Sequence, residues 1–335
     1  MATPAEIVEV DGKEVRVTNP AKVFFPALGA TKLDLVNYYL AVAPGALRGC
    51  VDRPTSLYRW PNGVDAPDDA FFQKRVPQNR PEWMKTATIH FPSGRSAEML
   101  AITEAAALVW AVNLGCIDIN PWPTRWDDLD HPDELRVDLD PTPDIPFAQV
   151  RDVALVAQEV LNDFGLRGFP KTSGKRGIHV YVRIETRWPF TEVRKAALAF
   201  AREVEKRSEL ATTAWWKEQR HGVFVDYNQN ARDRTIASAY SIRPVQVGTV
   251  SCPLEWDEVA DVEPADLTLK TVPERFKTKG DPGDKIDEVA HSLDPLFELS
   301  ERQEAEGAEE APLPPHFPKG EKEPPRVQPS RRKMK

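Results

Sequence analysis

The segment Leu135-Arg136-Val137-Asp138-Leu139-Asp140-Pro141 sets two carboxylates one residue apart in an apolar frame. On a strand, alternation sends Asp138 and Asp140 to one face and Val137 and Leu139 to the other. Their Cα atoms would lie roughly 6.5–7 Å apart, close enough to grip one cation and costly to leave unpaired where water is partly excluded. A third carboxylate, Asp226, ends the apolar run Gly222-Val223-Phe224-Val225 and precedes the polar Tyr227-Asn228-Gln229-Asn230. Hard oxygen ligands favour Mn2+ or Mg2+, and three carboxylates suit two ions about 3.5–4 Å apart clamping a phosphoryl transfer. A D-x-D taken alone is also an ordinary solvated surface pair in an acidic chain, so the neighbouring motifs decide its weight.

One neighbour is Thr172-Ser173-Gly174-Lys175-Arg176-Gly177-Ile178-His179-Val180-Tyr181, a glycine-bearing basic turn running into a strand. Its glycines let backbone N–H groups approach an oxyanion, Ser173 offers a hydroxyl, and Lys175 and Arg176 supply the charge a triphosphate needs. The spacing differs from that of a Walker loop, and a strand follows instead of a helix, which disfavours a P-loop ATPase. His179 shares a strand face with Tyr181 and Arg183; a lone strand histidine is more often structural, but this one stands three residues beyond the basic turn. Arg232, Arg234 and Arg243 are expected along a strand edge in ARDRTIASAYSIRP, either as plain surface cations or as a row beside Asp226. Toward the N-terminus, Asn19, Lys22 and Lys32 accompany Tyr58, Arg59, Trp60, Phe71, Phe72, Lys74 and Arg75. Aromatics interleaved with cations suit single-stranded or frayed nucleic acid, although FF pairs also serve as core, a reading that fits Phe24 and Phe25 better than Phe71 and Phe72.

These groups need a scaffold. Leu33, Val36, Tyr39 and Leu40 at helical spacing after Thr31 predict a helix over 31–47 with Thr31 as N-cap, and similar apolar faces predict helices over 103–114 and 147–164. Strand-like runs are EIVEV, EVRV, SLYRW, TIHF, LRVDLD, IHVYVRI, GVFVDY and TIASAYSIR. The order is mixed α/β (α+β), so a largely antiparallel sheet core with flanking helices is expected. From residue 300 the composition turns to Glu, Pro, Lys and Arg, which predicts a disordered 300–335 tail with a basic end at Arg331, Arg332 and Lys333.

The chain of 335 residues is 41% hydrophobic and carries a net charge of −8, so any basic groove must be local. No apolar run approaches the roughly 18 residues of a membrane span, and no basic, apolar leader opens the chain. A cytoplasmic, nucleoid-associated protein without a membrane partner is expected. Cys50, Cys116 and Cys252 are odd in number and far apart, which predicts buried thiols and neither a disulfide framework nor a zinc site.

Taken in order, TNPAKVFFP, RWPNG, AFFQKR, NLGCIDINPWP, VDLDP, TSGKRGIHVY, VFVDYNQN and TIASAYSIR resemble the polymerase domain of bacterial ATP-dependent DNA ligase D, a branch of the archaeo-eukaryotic primase superfamily. The likeness covers roughly residues 7–292. It implies an archaeo-eukaryotic primase-polymerase fold over 1–299, with a DNA-binding part at about 1–115 and a catalytic part at about 116–299. It also implies that Asp138, Asp140 and Asp226 hold two Mn2+ or Mg2+ ions and that Ser173, Lys175, Arg176, His179 and Arg243 hold the NTP or dNTP substrate. Asn19, Lys22 and Lys32 correspond to a 5′-phosphate site, and Arg59, Phe71 and Phe72 to a template contact. Two positions depart from the family pattern: Asn120 stands where many relatives have histidine, and the cradle reads Lys175-Arg176 where a single lysine is common.

The implied activity is template-directed nucleotidyl transfer that fills short gaps or ends in DNA, with a preference for ribonucleotides. The implied partners are gapped or broken double-stranded DNA bearing a 5′-phosphate, a separate ATP-dependent DNA ligase and end-binding Ku. A primase that starts chains without a primer, a non-catalytic end-binding scaffold and a metal-dependent nuclease are the rival readings.

Overall fold

A computed structural model describes residues 4–91 and 94–313. The N-terminal part begins with the antiparallel hairpin β1 (Ala5–Val10) and β2 (Lys13–Thr18), followed by the short pair β3 (Val23–Phe25) and β4 (Ala30–Thr31). Helix α1 (Lys32–Ala41) starts at Thr31, whose hydroxyl accepts from the N–H of Asp34 while the Asp34 carboxylate accepts from the N–H of Thr31. This reciprocal pair satisfies two N–H groups that a helix start leaves free. The helix expected over 31–47 is divided, because Pro44 has no N–H to continue the ladder; α2 (Ala43–Arg48) is a separate turn.

A five-stranded antiparallel sheet follows, from β5 (Arg53–Arg59), β6 (Phe71–Gln73), β7 (Thr86–His90), β8 (Ser96–Ile102) and, after α3 (Ala105–Asn113), β9 (Cys116–Pro121). Its β5 pairs with β6, β8 and β9, which carries Arg59 and the Phe71-Phe72 pair to one edge and Asn120 toward the second half.

The second sheet runs β11-β12-β10-β14-β13, from β10 (Glu134–Pro141), β11 (Phe169–Thr172), β12 (Ile178–Arg183), β13 (Ala211–Thr212) and β14 (Val223–Val225). Only β13 and β14 pair in parallel. Two amphipathic helices, α4 (Phe147–Asp163) and α5 (Phe190–Arg207), pack on it. Val150, Val153, Val193 and Phe200 on these helices and Leu135, Val137, Ile178 and Val180 on the strands are buried in one core. Each such side chain contributes roughly 1.5–3 kcal/mol before conformational entropy is subtracted. With that face occupied, the strand alternation leaves Asp138, Asp140 and His179 on the other.

Helices α6 (Val272–Lys279) and α7 (Asp294–Ala305) complete the described chain. Two expectations need correction. TIASAYSIR is not a strand: Tyr240 adopts φ 61°, which breaks the alternation, and the backbone pairs piecemeal with Ile119, Thr249 and Ser251. Nor does structure stop at residue 300. Helix α7 runs through it, burying Leu299 and Ser300 against α5, and Gln303 and Arg194 donate to the carbonyls of Ala199 and Pro312, so burial the composition concealed orders 300–313. Arg331, Arg332 and Lys333 lie outside the described residues. The three cysteines are buried and unpaired, and among the described residues no helix is long and apolar enough to cross a membrane.

Candidate nucleotide and DNA site

Strand β10 occupies the middle of the second sheet, so both neighbours fix what faces its carboxylates. Its register sets Asp138 opposite His179 on β12 and Asp140 opposite Phe224 on β14. Asp226, one residue beyond β14, donates its N–H to the Asp138 carbonyl at 2.8 Å. Its Oδ1 accepts from the N–H of Asn228 at 2.9 Å, capping the 3-10 turn Tyr227–Asn230. That turn swings Gln229 back, and its Nε2 donates to Asp138 Oδ2 at 3.2 Å and to Asp226 Oδ2 at 3.4 Å.

Asp138 and Asp226 are half-buried and Asp140 is exposed. Burial, then the charges of Asp226 and Asp140, pushes the Asp138 carboxyl up to about 8. Among the described residues no three His, Cys, Asp or Glu side chains form a ready cage for a metal ion. The donor set nevertheless fits a hard divalent cation. The oxygens it offers are carboxylate oxygens, two of them spanned by one amide, and their mutual repulsion is what such an ion would relieve.

Asp138 and Asp140 open onto a cleft of about 770 Å³ whose other wall holds Ser173, Lys175, Arg176 and Arg243. The turn between β11 and β12 is built around Ser173, whose Oγ accepts from the N–H groups of Lys175 and Gly177 at 3.2 and 2.9 Å. Its hydroxyl therefore holds the loop in shape. Gly174 sits at φ 69°, and a Cβ there would lie 2.4 Å from Arg243 Cγ; one on Gly177 would lie 2.4 Å from the Leu139 carbonyl oxygen. Only glycine lets the loop pass so near β10 and Arg243.

Lys175 and Arg176 are exposed in the cleft, and Arg176 donates to the carbonyls of Thr142 and Pro143, both at 2.7 Å. Arg243 Nη1 stands 3.9 Å from the buried Asp118 carboxylate, whose Oδ1 has no hydrogen-bond partner. Burial, offset in part by Arg243 and Lys175, raises the Asp118 carboxyl above its usual range. Asn120 lines the same cleft. Of the three arginines expected as a row, Arg243 lines the cleft, Arg234 lies within electrostatic reach of Asp226, and Arg232 turns away to pair with Asp130.

A second basic area lies on the N-terminal part. Asn19, at φ 50°, turns the chain so that its carbonyl accepts from the N–H of Lys22, whose carbonyl in turn accepts from that of Lys32 at 2.8 Å. Lys22 Nζ donates to Asn62 and Lys32 Nζ to the Asn113 carbonyl. Burial, then the charges of Lys22 and Arg59, lowers Lys32 to about 8. Arg59 donates to the Leu114 carbonyl and to Gln73, under the Phe71 ring. Phe72 is 61% exposed and stacks on Tyr58 with ring centres 4.0 Å apart and planes within 5°. An aromatic pair stacked and exposed in this way beside a cation offers a flat face of the kind on which bases stack.

Three groups in these sites escape sequence reading. Gln229 had a signal in its position three residues after a capping Asp. Lys171, buried against His179 beneath the cleft, and Asp118 had none beyond strand alternation, because surroundings formed by distant segments are what make a buried charge informative.

Residues 31–283 match the family model described as LigD, primase-polymerase domain. The chain is 32% identical over 315 residues to the multifunctional non-homologous end joining protein LigD of Mycolicibacterium smegmatis, covering 92% of this chain and 40% of that protein. It is 31% identical over 265 residues to the Pseudomonas aeruginosa protein of the same name, covering 78% of this chain and 31% of that protein. It thus spans well under half the length of these relatives. Among solved structures, the polymerase domain of Mycobacterium tuberculosis ligase D in complex with DNA matches with a TM-score of 0.76 and 33% identity, over 83% of this chain and 99% of that one.

Proposed function

Because this chain belongs to the LigD primase-polymerase family, we propose that its cleft performs template-directed nucleotidyl transfer, filling short gaps or ends in DNA during break or excision repair. The observation that carries this reading is the facing of Asp138, bridged to Asp226 by Gln229, against the cationic turn of Ser173–Gly177 across one cleft. Asp138, Asp140 and Asp226 are the residues to hold divalent ions, Mn2+ or Mg2+, which supply Lewis-acid activation of a primer 3′-hydroxyl and neutralise a triphosphate.

The protein's own part is positioning. Lys175 and Arg243 take the anionic oxygens of an NTP or dNTP and set its α-phosphate for in-line attack. No side-chain nucleophile takes part. Lys32, which lies within electrostatic reach of Lys22 and of Arg59, takes a downstream 5′-phosphate together with Lys22. Phe71 and the Phe72–Tyr58 stack meet the templating base. The ribonucleotide preference, and a ligase or Ku partner to complete the repair, are part of the same proposal.

The test is extension of a labelled primer across a one-nucleotide gap with a 5′-phosphate, with NTPs or dNTPs in Mn2+ or Mg2+. Templated addition that Asp138→Ala lowers about a thousandfold or more is expected. Addition unaffected by that substitution would refute the assignment; product from unprimed template would mark a primase, and DNA binding without addition a scaffold.

A further inference from the structure

The last described residues return along helix α5 toward the turn that carries Asp226. Helix α7 lies beside α5 and stops at Gly307, whose φ of 99° suits glycine; the N–H groups of Gly307 and Ala308 donate back to the carbonyls of Glu304 and Gln303 at 3.0 and 2.9 Å. The chain reverses there, so residues 309–312 run antiparallel to α5. Arg202 donates to the Glu309 carbonyl, and Arg194, two turns earlier on the helix, donates through Nη2 to the Pro312 carbonyl at 2.6 Å. The spacing agrees, since eight helical residues rise about 12 Å and three extended ones reach about 10 Å. Arg194 is 5% exposed, its Nε and Nη2 both donate to Asn228 Oδ1 at 3.0 Å, and its guanidinium lies 5.0 Å from the centre of the Tyr227 ring. A guanidinium only donates, so the oxygen of the Asn228 amide faces it, not the nitrogen.

We propose that Arg194 is a positioning residue which, anchored by the returning segment 308–313, sets the turn that presents Asp226 to a divalent ion. The proposal rests on the metal-dependent reading above. The turn Tyr227–Asn230 is tied at both ends. Asn230 accepts from the N–H of Arg136 on β10 and donates to the carbonyl of the same residue, each at 2.8 Å. Asn228 is held through its side chain by Arg194, while its own N–H caps Asp226 Oδ1 at 2.9 Å. A single nitrogen, Nη2 of Arg194, thus joins the Pro312 carbonyl to the residue that caps the carboxylate. Removing the guanidinium leaves the buried Asn228 oxygen without its charged donor, a larger loss than that of a neutral hydrogen bond. The turn then relaxes at the Asn228 end, and the Asp226 carboxylate, which that end caps, moves with it. Removing the segment has the same consequence at one remove, because Arg194 loses the carbonyl that holds it from behind.

The experiment measures Mn2+ uptake from the electron paramagnetic resonance signal of the free ion, without nucleotide or DNA. It compares the full-length protein with Arg194→Met, with chains shortened after Gly307 or after Leu313, and with Arg194→Met combined with the Gly307 shortening. Uptake that Asp226→Asn abolishes marks the site. Arg194→Met and the chain shortened after Gly307 should each bind Mn2+ about fivefold more weakly, and the chain shortened after Leu313 should match full length. In the Arg194→Met background, shortening to Gly307 should weaken binding no further, because the segment acts through that arginine. Equal further losses in both backgrounds overturn the proposal, as does unchanged Mn2+ affinity in variants that only melt at a lower temperature. Arg194→Lys, which keeps the charge without the guanidinium fork, replaces the methionine variant if that one does not fold; if the shortened chain does not fold, the arginine variants decide. A full-length protein that takes up no Mn2+ overturns the proposal together with the metal assignment. The expected pattern of uptake in a protein that extends no primer refutes the polymerase reading alone.

Discussion

The backbone N–H of Asp226 donates to the carbonyl oxygen of Asp138 at 2.8 Å, joining residues 88 positions apart in the chain into one acidic pair. The main chain itself sets the separation of the two carboxylates, before any ion binds. Gln229 then spans them, its amide donating to both.

Gln229→Ala should therefore be felt most without metal. Loss of the bridging amide leaves the two carboxyl groups without a shared donor and should lower the stability of the metal-free protein by about 1 kcal/mol. With saturating Mn2+ the difference from wild type should shrink, because the ion replaces the amide as the bridge. Thermal melts of both proteins with and without Mn2+ check this; equal losses in both conditions would mean that Gln229 serves packing only.

The lysine pair predicts a pH signature. With Lys32 lowered to about 8, its ammonium is largely present at pH 7 and is lost as pH rises through 8. A preference for a phosphorylated over a hydroxyl-ended gap should be near full at about pH 6 and decline mainly between about pH 7 and 9, while Lys22→Ala and Lys32→Ala should weaken it about tenfold at pH 7. Binding of the two gapped duplexes by fluorescence anisotropy across that range tests it. A pH-independent ratio would place the phosphate elsewhere.

A purely structural ion pair gives the opposite pH dependence. Burial alone would raise the Glu258 carboxyl, but hydrogen bonds from Arg275, at 2.7 Å from Nη1, and from Lys279 at 2.6 Å hold it down at about 2. A carboxyl depressed in the folded state adds stability above its unfolded pKa and loses that contribution as pH falls toward the folded value. Glu258→Gln should lower the melting temperature at pH 7, with the gap to wild type closing between about pH 4.5 and 2. A gap of undiminished size at about pH 2 would assign the effect to packing.

Much of this protein is written locally in its chain. Alternation in LRVDLDP is enough to place Asp138 and Asp140 on one face, and the Thr31 cap, helices α3 and α4 and most of the strands follow from periodicity that each segment carries alone. Helix α5 escaped notice because Ala196, Ala197, Ala199 and Ala201 form much of its buried face, and alanine contrasts weakly with charged neighbours. The order of residues 300–313 depends on docking against α5, which composition does not report. Tertiary structure alone decided that Lys171 lies under His179, that Gln229 spans two carboxylates, and that Lys22, Lys32 and Arg59 share one basic area. Periodicity states which way a side chain faces. What it faces depends on strand register and on segments brought together from across the chain, and a short-range pattern contains neither.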